Sequence, residues 1–239
     1  MFNKLQKRIN IPYLCHTLKK MTMAVKKEEK SPNILALYME YALEHEHFPS
    51  SVYKFCKVNK IEESLFYQHY ASLDTVKHSV WAAFFDNVHA LLEKNKEFSS
   101  MTRKDRLLSF YYTFFEVILL NRSYVLMTLN QGDQPMKNIG QLKDLRKSVK
   151  GFAEALIEEG NEDKSRFTTN PVEIFSEATW AQLLLLMKFW LSDTSKGFEK
   201  TDALIEKSVN VVFEVFDNTR LDTILDLGKF LWKEATGKA

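Results

Sequence analysis

A chain of 239 residues, 45% hydrophobic and 27% charged, with only seven Gly and five Pro, is too long for a mini-protein and too short for a repeat array. The composition excludes collagen, mucin-like stalks and a mostly disordered chain, and so few breakers in a Leu- and Phe-rich sequence point to helices. The net charge of +2 excludes a domain that attracts nucleic acid by overall basicity: Met1 to Lys30 hold eight basic and two acidic residues, while the rest holds 25 basic and 29 acidic.

Residues 1–30 therefore read as a basic leader, expected to be flexible. Asn10, Pro12, His16 and Lys19 interrupt its apolar residues, which makes it a poor secretory signal. It is free of acids up to Glu28, which also suits a mitochondrial presequence, although it has one Arg and few Ser; a true start at Met21 or Met23 would remove most of it. Cys15 and Cys56 have no close-spaced partner, so neither a disulfide scaffold nor a zinc module is expected, and a cytoplasmic location is. The longest apolar run, Leu183 to Met187, is stopped by Lys188, far short of the roughly 20 residues of a membrane span.

From Asn33 the pattern is helical, with Ile34, Leu35, Leu37, Tyr38, Tyr41 and Ala42 on one stripe, and the helix is expected to end near His47 because Pro49 follows. Ser50 or Ser51 offers an N-cap for a short second helix that turns Val52, Phe55 and Cys56 inward and stops around Asn59. A third begins near Glu62 and presents Leu65, Phe66, His69 and Tyr70; Ser72 and Asp74 cap the next. The fourth is long, from about Asp74 to Lys96, with Val76, Val80, Ala83, Phe84, Val88, Leu91 and Leu92 on its apolar side. The fifth, from about Arg103 to Leu120, holds the densest aromatic group: Phe110, Tyr111, Tyr112, Phe114 and Phe115. Asn121 interrupts, Ser123 to Asn130 makes another turn or two, and Gln131 to Gly140 reads as a loop. Gln141 to Glu159 is amphipathic and closed by Gly160 as a C-cap; after a polar loop, Pro171 opens Val172 to Leu191, followed by Thr201 to Phe216 and Leu221 to Glu234. With no alternating strand-length segment, the fold class is all-α.

Three short helices running directly into a long one, with a tight turn between the second and third, form the layout of a helix-turn-helix domain on a helical body. The run Leu65-Phe66-Tyr67-Gln68-His69-Tyr70, then Ala71-Ser72-Leu73, carries the Tyr, His and terminal aromatic of a known pattern. On these residues Ile34 to Val80 resembles the N-terminal domain of the TetR family of transcriptional regulators. The resemblance implies a helix-turn-helix domain over 31–78 and a helical ligand-binding and dimerisation domain over 79–218; residues 219–239 follow what would complete the family's body and read as a C-terminal amphipathic helix. It also implies a homodimer that binds double-stranded operator DNA and is released by an apolar small-molecule ligand. The DNA-facing residues would be Ser51, Lys54, Lys57, Lys60, Glu63, Ser64, Tyr67, Gln68 and His69; those around the ligand would be Phe84, Val88, Tyr111, Tyr112, Phe115, Glu116, Phe152 and Trp180. The plainer roles are packing and capping for Tyr67 and His69, and an ordinary aromatic core with Glu116 at its edge, where Arg122 or Tyr112 could serve as its partner.

The departures from the pattern matter as much. Lys60 stands where the family usually has Gly, which predicts either a wider turn or a strained backbone, and Leu65 and Leu73 replace residues that touch phosphate. Glu62 and Glu63 sit where the recognition helix enters the groove; a carboxylate there repels phosphates, although it can accept a bond from cytosine N4. From Ser31 to Val80 there are four Lys against six acidic residues, a balance of −2. Two readings follow. Either DNA binding survives, with the basic leader as an arm, or the helix-turn-helix is a relic and the protein works through its body.

The stretch Trp180 to Trp190 is apolar around most of the helix and must be covered on more than one side. A dimer does this by packing Val172 to Leu191 and Thr201 to Phe216 against their symmetry copies as a four-helix bundle. At the chain end Leu221, Ile224, Leu225, Phe230, Leu231 and Trp232 form an apolar surface beside Lys229 and Lys233 that can dock on the body or lie on a membrane, a case weakened by Asp222 and Asp226. That segment resembles the terminal helix of the TetR-fold lipid-binding proteins of ubiquinone biosynthesis. The alternative function is therefore lipid or isoprenoid binding without DNA, with the membrane surface contacted through Leu221 to Trp232. No Walker loop, dinucleotide fingerprint, nucleophile elbow or HExxH occurs, so neither an enzyme nor a cofactor is predicted. His45 and His47 would diverge by about 200° on a helix, so no metal is expected there.

Overall fold

The structure, a computed structural model, describes residues 33–129, 138–161 and 171–218, and these form nine α-helices and three short 3-10 turns with no strand among them. The expected leader, most of the expected loop Gln131 to Gly140 and the expected helix Leu221 to Glu234 lie outside the described residues, as does the membrane contact through Leu221 to Trp232.

The first three helices are α1 (Ile34–His45), α2 (Val52–Asn59) and α3 (Glu63–His69), and α4 (Leu73–Glu93) leaves them for the body. Local sequence starts most of them. Asn33 Oδ1 accepts the Ala36 N–H at 3.1 Å, Ser51 Oγ the Lys54 N–H at 3.3 Å and Ser72 Oγ the Thr75 N–H at 3.1 Å, each satisfying a donor that the first turn leaves open. Phe55 is the fully buried centre of this domain, with its ring set edge-on to Tyr38, Tyr41 and Phe66 at 6.1 to 6.2 Å. A phenylalanine so placed typically stabilises by about 3–5 kcal/mol relative to alanine.

Lys60 takes the strained alternative, not the wider turn. It closes α2 at φ 54°, ψ 41°, in the left-handed region. The Ile61 N–H donates to Cys56 O at 3.0 Å and the Lys60 N–H to Lys57 O, the paired bonds of a Schellman turn, with buried Ile61 against buried Cys56 as its apolar contact. Glu46, at the end of α1, is likewise left-handed at φ 55°. That turn also alters the relation of the two histidines. Instead of diverging, the His45 and His47 rings lie 5.9 Å apart, because the helix ends between them. Each Nδ1 meets a backbone carbonyl oxygen, of Tyr41 and of Phe48 respectively, and no group of three metal-ligating side chains occurs among the described residues.

The body consists of α4, α5 (Arg103–Leu119), α6 (Arg122–Leu129), α7 (Lys143–Glu159), α8 (Val172–Ser192) and α9 (Glu199–Asn218). Helix α7 packs along both α8 and α4, α5 lies between α4 and α9, and α6 returns to touch α1. Trp81 Nε1–H donates to Gln141 Oε1 and Gln141 Nε2–H to Thr128 O, both at 3.0 Å, which ties α4, α6 and the 3-10 turn Ile139–Leu142 through one buried amide. Helix α4 runs unbroken across position 78, so the two expected domains share a rigid element. Gly160 follows α7 as expected but has φ −74°, not a left-handed cap. Its lack of a side chain matters for another reason: a Cβ there would lie 1.9 Å from Arg103 Nη1.

Candidate DNA-binding face and helical body

Of the residues expected at DNA, Lys54, Lys57, Lys60, Ser64, Tyr67, Gln68 and His69 are exposed, and Ser51 and Glu63 are partly covered. Helices α2 and α3 bring them together, because Phe55, Cys56, Ile61 and Phe66 bury the opposite sides of the same two helices. Ser51 is occupied as the α2 cap. Burial first, and then the charges of Glu63 and Glu62, push the pKa of the buried Cys56 thiol up. Two residues of this face escaped sequence reasoning. Tyr53 is 58% exposed with Lys57 Nζ 5.8 Å from its ring centre, and Val58 is exposed beside it. On the α2 wheel each stands only 60° from one buried residue, Tyr53 from Cys56 and Val58 from Phe55, so periodicity gave no signal that they face outward.

The residues expected around a ligand divide into two groups. Phe84, Val88, Tyr111, Phe115 and Trp180 are buried in the core formed by α4, α5 and α8, and Phe152 of α7 reaches it partly covered, with its ring 4.9 Å from Phe110. The Tyr111 hydroxyl lies 3.0 Å from both Thr179 O and Gln182 Oε1, and Gln182 Nε2–H donates to Ser208 Oγ at 2.8 Å, so a polar thread links α5, α8 and α9 through an apolar interior. Burial drives the Tyr111 pKa well up. Tyr112 and Glu116 belong instead to the side of α5 that meets α9. Burial, then Asp202 and Glu206, raise the Tyr112 pKa to about 12. Glu116 has an exposed side chain, yet its neighbours shield the carboxyl enough to raise its pKa. Arg122 lies over the Trp190 and Phe198 rings, 4.2 and 4.7 Å from their centres. Burial lowers its pKa, opposed by Asp193.

The family model described as "Tetracyclin repressor-like, C-terminal domain" matches residues 106–231, more than half of the chain. The chain belongs to the TetR family. Its all-α fold, with a helix-turn-helix head on a helical body, accords with a solved structure described as a TetR-family transcriptional regulator of Syntrophomonas wolfei str. Goettingen. That likeness has a TM-score of 0.56 at 13% identity and covers 78% of this chain and 94% of the other. No curated protein matches the chain.

As a TetR chain, it has one further surface to account for. Along α8 the exposed positions Glu173, Glu177, Ala181, Leu185 and Phe189 recur every four residues and form a single stripe. The stripe is charged at its start, where Glu177 pairs with Arg146 at 2.9 Å and Lys150 at 2.8 Å, and continues as Ala181, Leu185 and Phe189, with exposed Lys188 at its edge. Helix α9 packs beside it and adds Val211, 57% exposed. No described helix of this TetR body is long and apolar enough to cross a membrane.

Proposed function

We propose that this TetR chain is a transcriptional regulator, not an enzyme, which works in the cytoplasm by binding operator DNA as a homodimer and leaving it when an apolar small molecule enters the body. The observation that carries this reading is the separation of charge on the head. Lys54, Lys57 and Lys60 all stand exposed on α2 and its cap, beside exposed Ser64, Tyr67, Gln68 and His69 of α3. Of the six acids that make the segment net negative, Glu40 and Glu44 lie on α1, Glu46 at its end and Asp74 at the start of α4, while Glu63 is partly covered and Glu62 stands exposed at the start of α3. A phosphate approaching α2 therefore meets three lysines, and the one exposed carboxylate beside them is Glu62 at the start of α3.

Dimerisation through α8 and α9 is supported by the stripe that ends in Leu185 and Phe189 and by Val211, an apolar patch that two copies would remove from water. The ligand would be held where α4, α5, α7 and α8 converge, among Phe84, Val88, Tyr111, Phe115, Phe152 and Trp180, with the Tyr111 hydroxyl as the polar handle.

A gel-shift titration of the full chain on duplexes from the DNA upstream of its own reading frame tests the proposal. Three lysines in each of two protomers predict that log K falls against log salt with a slope of about −5. A folded dimer that shifts no duplex even at low salt would end the regulator reading.

A further inference from the structure

Recognition helix α3 has the sequence Glu63-Ser64-Leu65-Phe66-Tyr67-Gln68-His69, without a Lys or Arg. Phe66 anchors it as its one fully buried side chain. At 100° per residue, Ser64 and Gln68 each stand 200° from Phe66, and both are exposed. They are therefore the two residues that look directly away from the domain, four apart and so neighbours on one ridge. Glu63 stands only 60° from Phe66 and is partly covered. Tyr67, at 100°, flanks the ridge with its ring 54% exposed. The groove-facing edge of α3 is thus a hydroxyl and a carboxamide, without charge.

Such an edge selects among bases by hydrogen-bond chemistry. Guanine presents two acceptors in the major groove, O6 and N7, and is matched best by the forked donors of Arg or by Lys, neither of which α3 carries. Adenine presents one donor at N6 and one acceptor at N7, and a carboxamide matches both at once, Oε1 accepting and Nε2–H donating. A serine hydroxyl can donate or accept and is tolerant. A tyrosine ring beside them suits the methyl group of thymine.

We propose that α3 reads an adenine through the Gln68 carboxamide, so that each operator half-site holds an A·T pair where Gln68 meets the groove. The inference rests on the DNA-binding reading above and adds what that reading leaves open. It also divides the work between two helices. The lysines of α2 hold phosphates and set the salt dependence; the neutral edge of α3 sets the sequence.

The test is selection by the full chain from duplexes randomised over about two helical turns, followed by sequencing and salt titration of the winners. The expected result is a two-fold symmetric site with a fixed A·T pair in each half. Gln68→Ala should lose roughly 5- to 150-fold preference at that pair and at no other, with the salt slope unchanged. Gln68→Arg should move the preference there to guanine. Because Gln68 is exposed, circular dichroism of both variants should match the parent. Lys57→Ala should do the converse, weakening all sequences alike and making the slope shallower by about 2 per dimer. An enriched site whose pattern is unaffected by Gln68→Ala, or whose strongly preferred pairs are all G·C, overturns the adenine reading while leaving DNA binding intact. Failure of a folded dimer to enrich any duplex overturns both.

Discussion

Lys60 shows how much can depend on one backbone angle. A left-handed residue with a side chain costs roughly 1–2 kcal/mol relative to glycine's freedom, and here it is held by the Ile61 N–H bond to Cys56 O and by the burial of both Ile61 and Cys56. Sequence alone left two alternatives at this position, because the bond that decides between them is between main-chain atoms and depends on which side chains the rest of the head buries. Keeping lysine despite the strain fits its exposed place beside α3. Lys60→Gly should therefore act in opposite directions on two measurements: urea unfolding should show about 1 kcal/mol more stability, while DNA affinity falls and its salt slope becomes shallower. A loss of stability would mean the left-handed turn is not what this position requires.

At the scale of elements, the turn from α8 into α9 is organised by one carboxylate. Asp193 is 7% exposed and accepts from Ser195 N and Oγ at 2.8 and 2.7 Å and from Thr201 N and Oγ1 at 3.0 and 2.7 Å. Burial by itself would raise its pKa, but these four bonds hold it down to about 2. They offset a strained path in which Gly197 and Phe198 are both left-handed, at φ 63° and 59°. Asp193→Ala should cost about 2–4 kcal/mol at pH 7 by chemical unfolding. The depressed pKa means that this contribution is complete above about pH 4 and fades as pH falls through 2, so parent and variant should converge on acidification. Asp202, in the first turn of α9, has the opposite sign. Burial, then Glu116 and Asp193, raise it to about 6, so the stability linked to its protonated form is present below about pH 4 and lost as pH rises through 6. Asp202→Asn should gain on the order of 1 kcal/mol at pH 7.5, allowing for screening and the favourable helix end, and nothing at pH 4. Equal unfolding midpoints for the two proteins at pH 7.5 would refute this. The difference between these elements and the short caps explains what the sequence made legible. Ser51 and Ser72 bond three residues ahead, within reach of a sequence pattern. Asp193 bonds eight residues away across two left-handed residues, and Glu116 finds its neighbours on α9, so neither role could be read from spacing.

For the whole molecule, the charge balance over Ser31 to Val80 is correct as a sum and misleading as a description, because the fold puts three of the four lysines on α2 and its cap and four of the six acids on α1, its end and α4. Periodicity carried the all-α architecture and the order of helices well, since each helix buries a stripe against its neighbours. What it carried less well is which apolar residues stay outside. Leu185, 56% exposed, and Val211 break the inward rule on two adjacent helices of the body. If two copies meet there, Leu185→Glu places a carboxylate in an apolar seam on both sides of the two-fold axis, where each charge is desolvated without a partner. The parent should then run in light scattering at twice 28.0 kDa and the variant at 28.0 kDa. The monomer core should be untouched, because Leu185 contributes little to it, so the helical circular dichroism signal should be the same for both. Operator binding should fall steeply with dimerisation, since two heads on one body gain from their effective concentration at a symmetric site and a lone head does not. A variant that stays at the dimer mass would place the two-fold axis on another face of the body, and the exposed stripe of α8 would then need a different occupant.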